Sequence, residues 1–292
     1  MIELLSRRFV PVAVDEWYHI RRKDSEGEFY RKVVYQREGL SPREDRTTQG
    51  FYIFDPDGKL LRGWNNRDLP KLKRYLEEIL KSYSAPSSEK LEGKADPRYS
   101  RSLEEGGVVV DVFSKITRAN WPPAEDKWQE LFRRSTGRDH LWILKDEVRA
   151  LAAGELPPSL KQRLVRFHLL DNTRGEPPMW RSKEVREANL RLTPDRAGGH
   201  RLEGTVLLRT EDSKRSYEAS VLGRIDVKDG KLVRFDVVCR GEFEGESTFT
   251  RGAPPGKFTL VIAFQLAQGG ESDKVPPQGA RNLEEYLRSR AD

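Results

Sequence analysis

The spacing of apolar positions changes character along the chain, from short mixed segments in the first third to long alternating runs in the last. Arg8-Phe9-Val10-Pro11-Val12-Ala13-Val14-Asp15 is a short apolar run closed by an acid, which predicts a buried strand with a polar C-terminal edge. Phe29, Tyr30, Val33 and Val34 follow among charged neighbours, with Gly39 as a stop, so a helix is expected next. Gly50-Phe51-Tyr52-Ile53-Phe54 reads as a strand, and Asp55-Pro56-Asp57-Gly58 leads into Lys59-Leu60-Leu61-Arg62-Gly63. That is a hairpin signal, because Pro presets one turn residue and Gly supplies positive φ. Leu69, Leu72, Leu76, Ile79 and Leu80 then fall at helical spacing behind Asn66 or Asp68 as a cap, a stripe suited to packing.

Residues 82–96 turn to Ser, Pro, Lys, Glu and Gly, including Ser84-Ala85-Pro86-Ser87-Ser88, the composition of an exposed linker. A second region opens with the strand Gly107-Val108-Val109-Val110-Asp111-Val112-Phe113 and continues with helical stretches at 123–134 (carrying Trp128, Leu131 and Phe132), 145–152 and 158–170. From there the period becomes alternating, predicting strands at 188–193, 202–209, 216–227, 231–240 and 256–267, with Lys228-Asp229-Gly230 as a tight hairpin link. The expected class is α+β: a partial α/β domain at 1–82, a linker at 83–102, and at 103–292 an antiparallel sheet or open barrel with helices. At 292 residues, two domains are the natural expectation.

The first 85 residues resemble the second half of a thioredoxin-like domain, on the strength of the 8–15 run ending in Val-Asp, the segment Gln49-Gly50-Phe51-Tyr52-Ile53-Phe54-Asp55-Pro56-Asp57-Gly58-Lys59, and the closing amphipathic helix. Such families carry a Trp-Cys-x-x-Cys helix start ahead of this part, and the chain would begin inside that helix at residues 1–6, where no cysteine stands. The place of the family's cis-proline is taken by Thr48-Gln49-Gly50, and Pro42 lies too far upstream. Thiol exchange needs a thiolate beside a resolving partner, so the resemblance implies a module without dithiol chemistry.

Composition narrows the classes further. Cys239 is the only cysteine, which excludes an internal disulfide and any multi-thiolate zinc site, and its Val237-Val238 flank predicts a buried thiol. The net charge of +6 invites a nucleic-acid reading, but 47 acidic residues are interleaved with 53 basic ones, as where Arg21-Arg22-Lys23 is answered by Asp24, Glu26 and Glu28. A nucleic-acid partner is therefore not expected. No apolar run approaches the roughly 20 residues a membrane-spanning helix needs. The expected location is the cytoplasm as written, or outside it if an earlier segment carries a signal.

Candidate chemistry concentrates in His168-Leu169-Leu170-Asp171-Asn172-Thr173-Arg174-Gly175-Glu176-Pro177-Pro178-Met179-Trp180, which puts an imidazole, carboxylates, a guanidinium and an indole into one turn-rich connection. His168, Asp171, Arg174, Glu176 and Trp180 are the candidate ligand-binding residues, with Arg174 able to clamp an anion. Asp15, His19 and His140 are weaker candidates. No nucleophile accompanies them at a diagnostic spacing, and no histidine pair has a specific metal spacing, so no cofactor is expected and a metal is left open. The favoured reading is a non-redox binding or scaffolding protein for a small molecule or protein. The alternative is a hydrolytic or metal-assisted enzyme using His168, Asp171 and His140.

Overall fold

The computed structural model describes residues 1–40, 47–66, 68–84, 93–99, 101–196 and 198–288, apart from the side chain of Trp128. The chain is α+β and divides into two compact units, Met1–Arg101 and Ser102–Asp292. Among the described residues no helix is long and apolar enough to cross a membrane.

The first unit contains α1 (Ile2–Arg8), α2 (Glu16–Arg21), α3 (Ser25–Val34), β1 (Phe51–Phe54), β2 (Leu60–Trp64) and α4 (Leu69–Ser82). Acids start three of these four helices: Asp15 accepts from the Trp17 amide, Asp24 from Gly27 and Asp68 from Lys71, each relieving an orphan N–H of a first turn. The β1–β2 hairpin forms where Asp-Pro-Asp-Gly predicts it. Gly58 takes φ +79°, and Asp55 Oδ1 accepts from the Lys59 amide at 2.8 Å. Tyr18, Ile20, Val33, Val34, Leu76 and Ile79 make the core.

Two expectations for this unit are not met. Residues 9–15 form no strand and join no ladder, and β1 and β2 pair only with each other; Val10 is 88% exposed. Pro11 brings no amide donor to a ladder, and Asp15 is spent as the cap of α2. The linker expected over 83–102 falls partly outside the described residues, but residues 93–99 belong to the first unit. Asp96 is buried, its carboxylate accepts from the Lys23 amide at 2.9 Å, and its own amide donates to Asp24. A polar segment of this kind reads as a linker whether it floats or is strapped down by hydrogen bonds.

The second unit contains β3 (Val108–Arg118), α5 (Lys127–Arg134), β4 (Gly137–Ile143), α6 (Lys145–Ala152), α7 (Pro158–Arg163), β5 (Val185–Pro194), β6 (His200–Arg209), β7 (Ser216–Lys228), β8 (Lys231–Glu244), β9 (Lys257–Leu266) and α8 (Leu283–Leu287). The seven strands form one antiparallel sheet in the order β4-β3-β9-β8-β7-β6-β5. Alternation puts Val110, Val112 and Ile116 of β3, and Phe258, Leu260, Ile262 and Phe264 of β9, on one buried face. That face packs in one core with Val148 and Leu151 of α6, Leu160 of α7, and Leu164 and Val165 of the π turn Leu164–His168 that continues α7. Cys239 on β8 is fully buried there, and burial pushes its thiol up to about 12 against a contrary hydrogen bond from Tyr217. A smaller cluster seats the C-terminal segment, with Tyr286 and Ala280 against Trp142 and Phe167.

Candidate functional site

At one end of the sheet the approach to β5, the β6–β7 turn and the β8–β9 loop enclose a cleft of about 540 Å³. Arg181, Lys214, Arg215 and Arg251 line it with Glu184, Asp212, Glu246, Ser247 and Thr248. The acids are engaged locally. Glu184 takes two bonds from the Arg181 guanidinium and one from its amide, and Glu246 accepts from the amides of Gly252 and Ala253. Asp212 accepts from the Thr210 hydroxyl and the Lys214 amide; these bonds, the hydroxyl's first, hold its carboxyl below the usual carboxylate range.

Arg215 is different. It is 5% exposed, donates from Nη1 to the Pro178 carbonyl at 2.8 Å, and lies over the Trp180 ring at 4.1 Å from the centroid. Its Nε is buried without a hydrogen-bond partner. Three other buried arginines each hold a carboxylate: Arg22 with Asp24, Arg163 with Glu147 and Arg166 with Glu285. Among the described residues Arg215 has no such ion pair. Burial lowers its pKa from the ordinary value, opposed by the more distant charges of Glu184 and Asp212. Arg251, on the exposed rim, likewise has no ion pair among the described residues.

The loops are locked together by close backbone approaches. Gly245 has φ +91°, and a Cβ there would fall 1.9 Å from the Lys214 carbonyl oxygen. A Cβ on Gly175 would fall 2.0 Å from the Phe249 carbonyl oxygen, so the 168–180 connection can lie directly against the β8–β9 loop.

The 168–180 connection therefore borders the cleft, through Pro178 and Met179, but His168, Asp171 and Arg174 are turned inward. His168 is buried, with Nε2 at 2.9 Å from the Tyr286 hydroxyl and Nδ1 at 3.2 Å from Asp139 Oδ2. The Tyr286 oxygen also accepts from the Trp142 amide, while His168 Nδ1 is buried beside Asp139 without an aligned hydrogen bond. Asp171 is buried against the Thr173 hydroxyl and amide and the Arg174 guanidinium, and Arg174 Nη1 reaches the Thr250 carbonyl at 2.6 Å. Trp180 is fully buried, its Nε1 donating to the Leu169 carbonyl at 2.8 Å. Arg174 and Trp180 thus support the cleft from beneath. Glu176 points elsewhere, bonded to Arg281.

The weaker candidates are also accounted for by position. Asp15 and His19 belong to one helix start, His19 Nδ1 lying 3.0 Å from the Asp15 carbonyl. His140 sits on β4 opposite Asp111 of β3, and its amide donates to Asp139, whose other oxygen faces His168. Sequence reasoning missed Arg215, since Thr210-Glu211-Asp212-Ser213-Lys214-Arg215 reads as a solvated turn. Comparison with protein-family models, curated proteins and solved structures finds nothing that matches this chain.

Proposed function

We propose that the protein is a non-redox binding protein whose second unit holds an anionic ligand in the cleft around Arg215. The observation that carries this reading is a buried guanidinium with no carboxylate partner among the described residues, lining an open cleft. A buried charge is costly unless paired, and an incoming phosphate or carboxylate supplies the missing charge in the bidentate geometry guanidinium favours. Arg251 at the rim adds charge of the same sign, while Lys214 is paired with Asp212 at 3.6 Å and Glu184 and Glu246 are held in bonds of their own. In the first unit the Asp-Gly hairpin and α4 form where the thioredoxin-like reading expects them, while the strand it expects at residues 8–15 does not; with Cys239 the chain's only cysteine, no dithiol is available. The hydrolytic alternative would need His168 and Asp171 at a solvent-facing surface; both are buried among partners, which favours binding.

The test uses inorganic phosphate, pyrophosphate and citrate with the full chain. At least one should raise the melting temperature of the second unit in the wild type and bind saturably by calorimetry, and Arg215→Met should abolish both effects. Binding that survives Arg215→Met, or no stabilisation by any of the three anions, overturns the reading.

A further inference from the structure

We propose that Asp111, His140 and Asp273 form a site for a zinc-class divalent transition-metal ion, distinct from the Arg215 cleft. The strand register places Asp111 of β3 directly opposite His140 of β4, and the segment after β9 brings in Asp273. One donor atom from each residue lies within 4.8 Å of the other two.

The imidazole of His140 points to the ligand. It is 5% exposed, and its Nδ1 lies 2.8 Å from the Val275 carbonyl oxygen. A carbonyl only accepts, so Nδ1 carries the hydrogen and Nε2 presents its lone pair. That Nε2 is buried without a hydrogen-bond partner, yet stands 3.3 Å from Asp111 Oδ1. A lone pair facing a carboxylate oxygen is repulsive unless positive charge lies between them. A proton on Nε2 would supply that charge through a direct hydrogen bond, but the contact lacks hydrogen-bond alignment. A shared metal ion needs no such alignment, because both atoms then point at a third position.

The surroundings suit that role. The Nδ1–H bond to a backbone carbonyl is the usual means of fixing a metal-binding histidine's tautomer. Asp273 is held by the amides of Gly269 and Gly270 at 2.8 and 2.7 Å on one oxygen. Tetrahedral coordination with arms of about 2.1 Å sets donor atoms about 3.4 Å apart. The His140–Asp111 separation already matches, and Asp273 must close by about 1.4 Å at most, within the reach of a side-chain rotation. One imidazole and two carboxylates favour zinc over magnesium or calcium, which prefer all-oxygen shells, and leave a coordination position for water.

Arg138 competes for the same carboxylates. Its Nη2 lies 2.8 Å from Asp111 Oδ1 and 4.0 Å from Asp273 Oδ1, and its side chain is 47% exposed. An incoming ion must displace it or share Asp111 with it. Removing this cation should therefore strengthen metal binding.

The experiment titrates Zn²⁺ into the chelator-treated full chain by calorimetry and indicator competition, with Mg²⁺ as a competitor. One ion per chain is expected, undisturbed by excess Mg²⁺. His140→Ala should weaken it at least 100-fold, and Asp273→Asn, which keeps an oxygen for the glycine amides, at least tenfold with an unchanged metal-free melting temperature. Arg138→Ala should tighten it several-fold, and His19→Ala should leave it unchanged. Absence of Zn²⁺ binding to the wild type, binding indifferent to both Asp273→Asn and His140→Ala, or weaker binding in Arg138→Ala overturns the site and makes Arg138 the permanent counter-ion.

Discussion

Replacing two buried arginines with methionine should cost very different amounts of stability, and the contrast tests whether Arg215 is an anion site. Arg163 and Arg215 are both almost fully buried in the second unit. Arg163 is ion-paired with buried Glu147 and donates to the Trp142 carbonyl at 3.3 Å. Arg163→Met strands that carboxylate, which costs on the order of 3–5 kcal/mol. Arg215→Met gives up a charged hydrogen bond to Pro178 worth about 1.5–3 kcal/mol and a desolvated cation–π contact with Trp180 worth about 2 kcal/mol. It also removes an unpaired buried charge whose desolvation costs several kcal/mol, and it places a thioether against the indole for about 0.3–1.5 kcal/mol. These contributions nearly cancel, so the net change should stay within about 1.5 kcal/mol of zero. Urea unfolding followed through the fluorescence of buried Trp142 and Trp180 measures both variants. With anion present at 100 times its Kd, the wild type should gain about 2.7 kcal/mol and Arg215→Met nothing. If Arg215→Met costs as much as Arg163→Met, Arg215 is a structural residue and the argument for an anion site fails.

In the first unit, Asp24→Asn should cost on the order of 3 kcal/mol by leaving the buried Arg22 charge without its nearest carboxylate, read as a lower urea midpoint. The Arg22 hydrogen bond outweighs burial and holds the Asp24 carboxyl well below its unfolded value. Its stabilisation is therefore complete above about pH 4 and fades as pH falls below that, so a pH series should show wild type and variant converging in acid. Cys239 should resist a thiol reagent in the native protein at pH 8 and react fully in denaturant, since burial raises its pKa to about 12; rapid native labelling would contradict its placement. Tyr286→Phe should cost about 1–3 kcal/mol for each of the two groups it leaves unpartnered, the Trp142 amide and His168 Nε2, without altering anion binding; a loss of affinity at unchanged stability would return His168 to the site.

Elements whose pattern is local were legible in the sequence. The Asp-Pro-Asp-Gly hairpin and the Leu69–Ser82 helix depend on turn chemistry and on a stripe that one helix presents, and α6 occupies the 145–152 stretch its spacing predicts. The alternating strands β5 to β9 were readable because one face of the sheet packs on helices. β4 was not, because residues 140–143 are all buried: the C-terminal segment and Tyr286 cover the face that alternation would leave polar. The valines of residues 10–14 misled in the opposite direction, since a strand is defined by a partner that no single segment encodes.

The candidate site was half legible for a similar reason. A connection crowded with ionisable groups is also what a buried brace requires, and the distinction rests on where each charge finds its partner. Asp171 and Arg174 find each other three residues apart, and Arg181 and Glu184 do the same, so these charges neutralise within their own segments. Arg215 has acids three and four residues before it, which on a helix would be within reach. In the β6–β7 turn they are not. Asp212 folds back onto Thr210 and Lys214 to shape the turn, and Glu211 is taken by Arg181 and Lys183. The acids nearest in sequence are consumed by the turn and its flank, which leaves Arg215 to bury its stem against Trp180, 35 positions away, without an ion pair among the described residues.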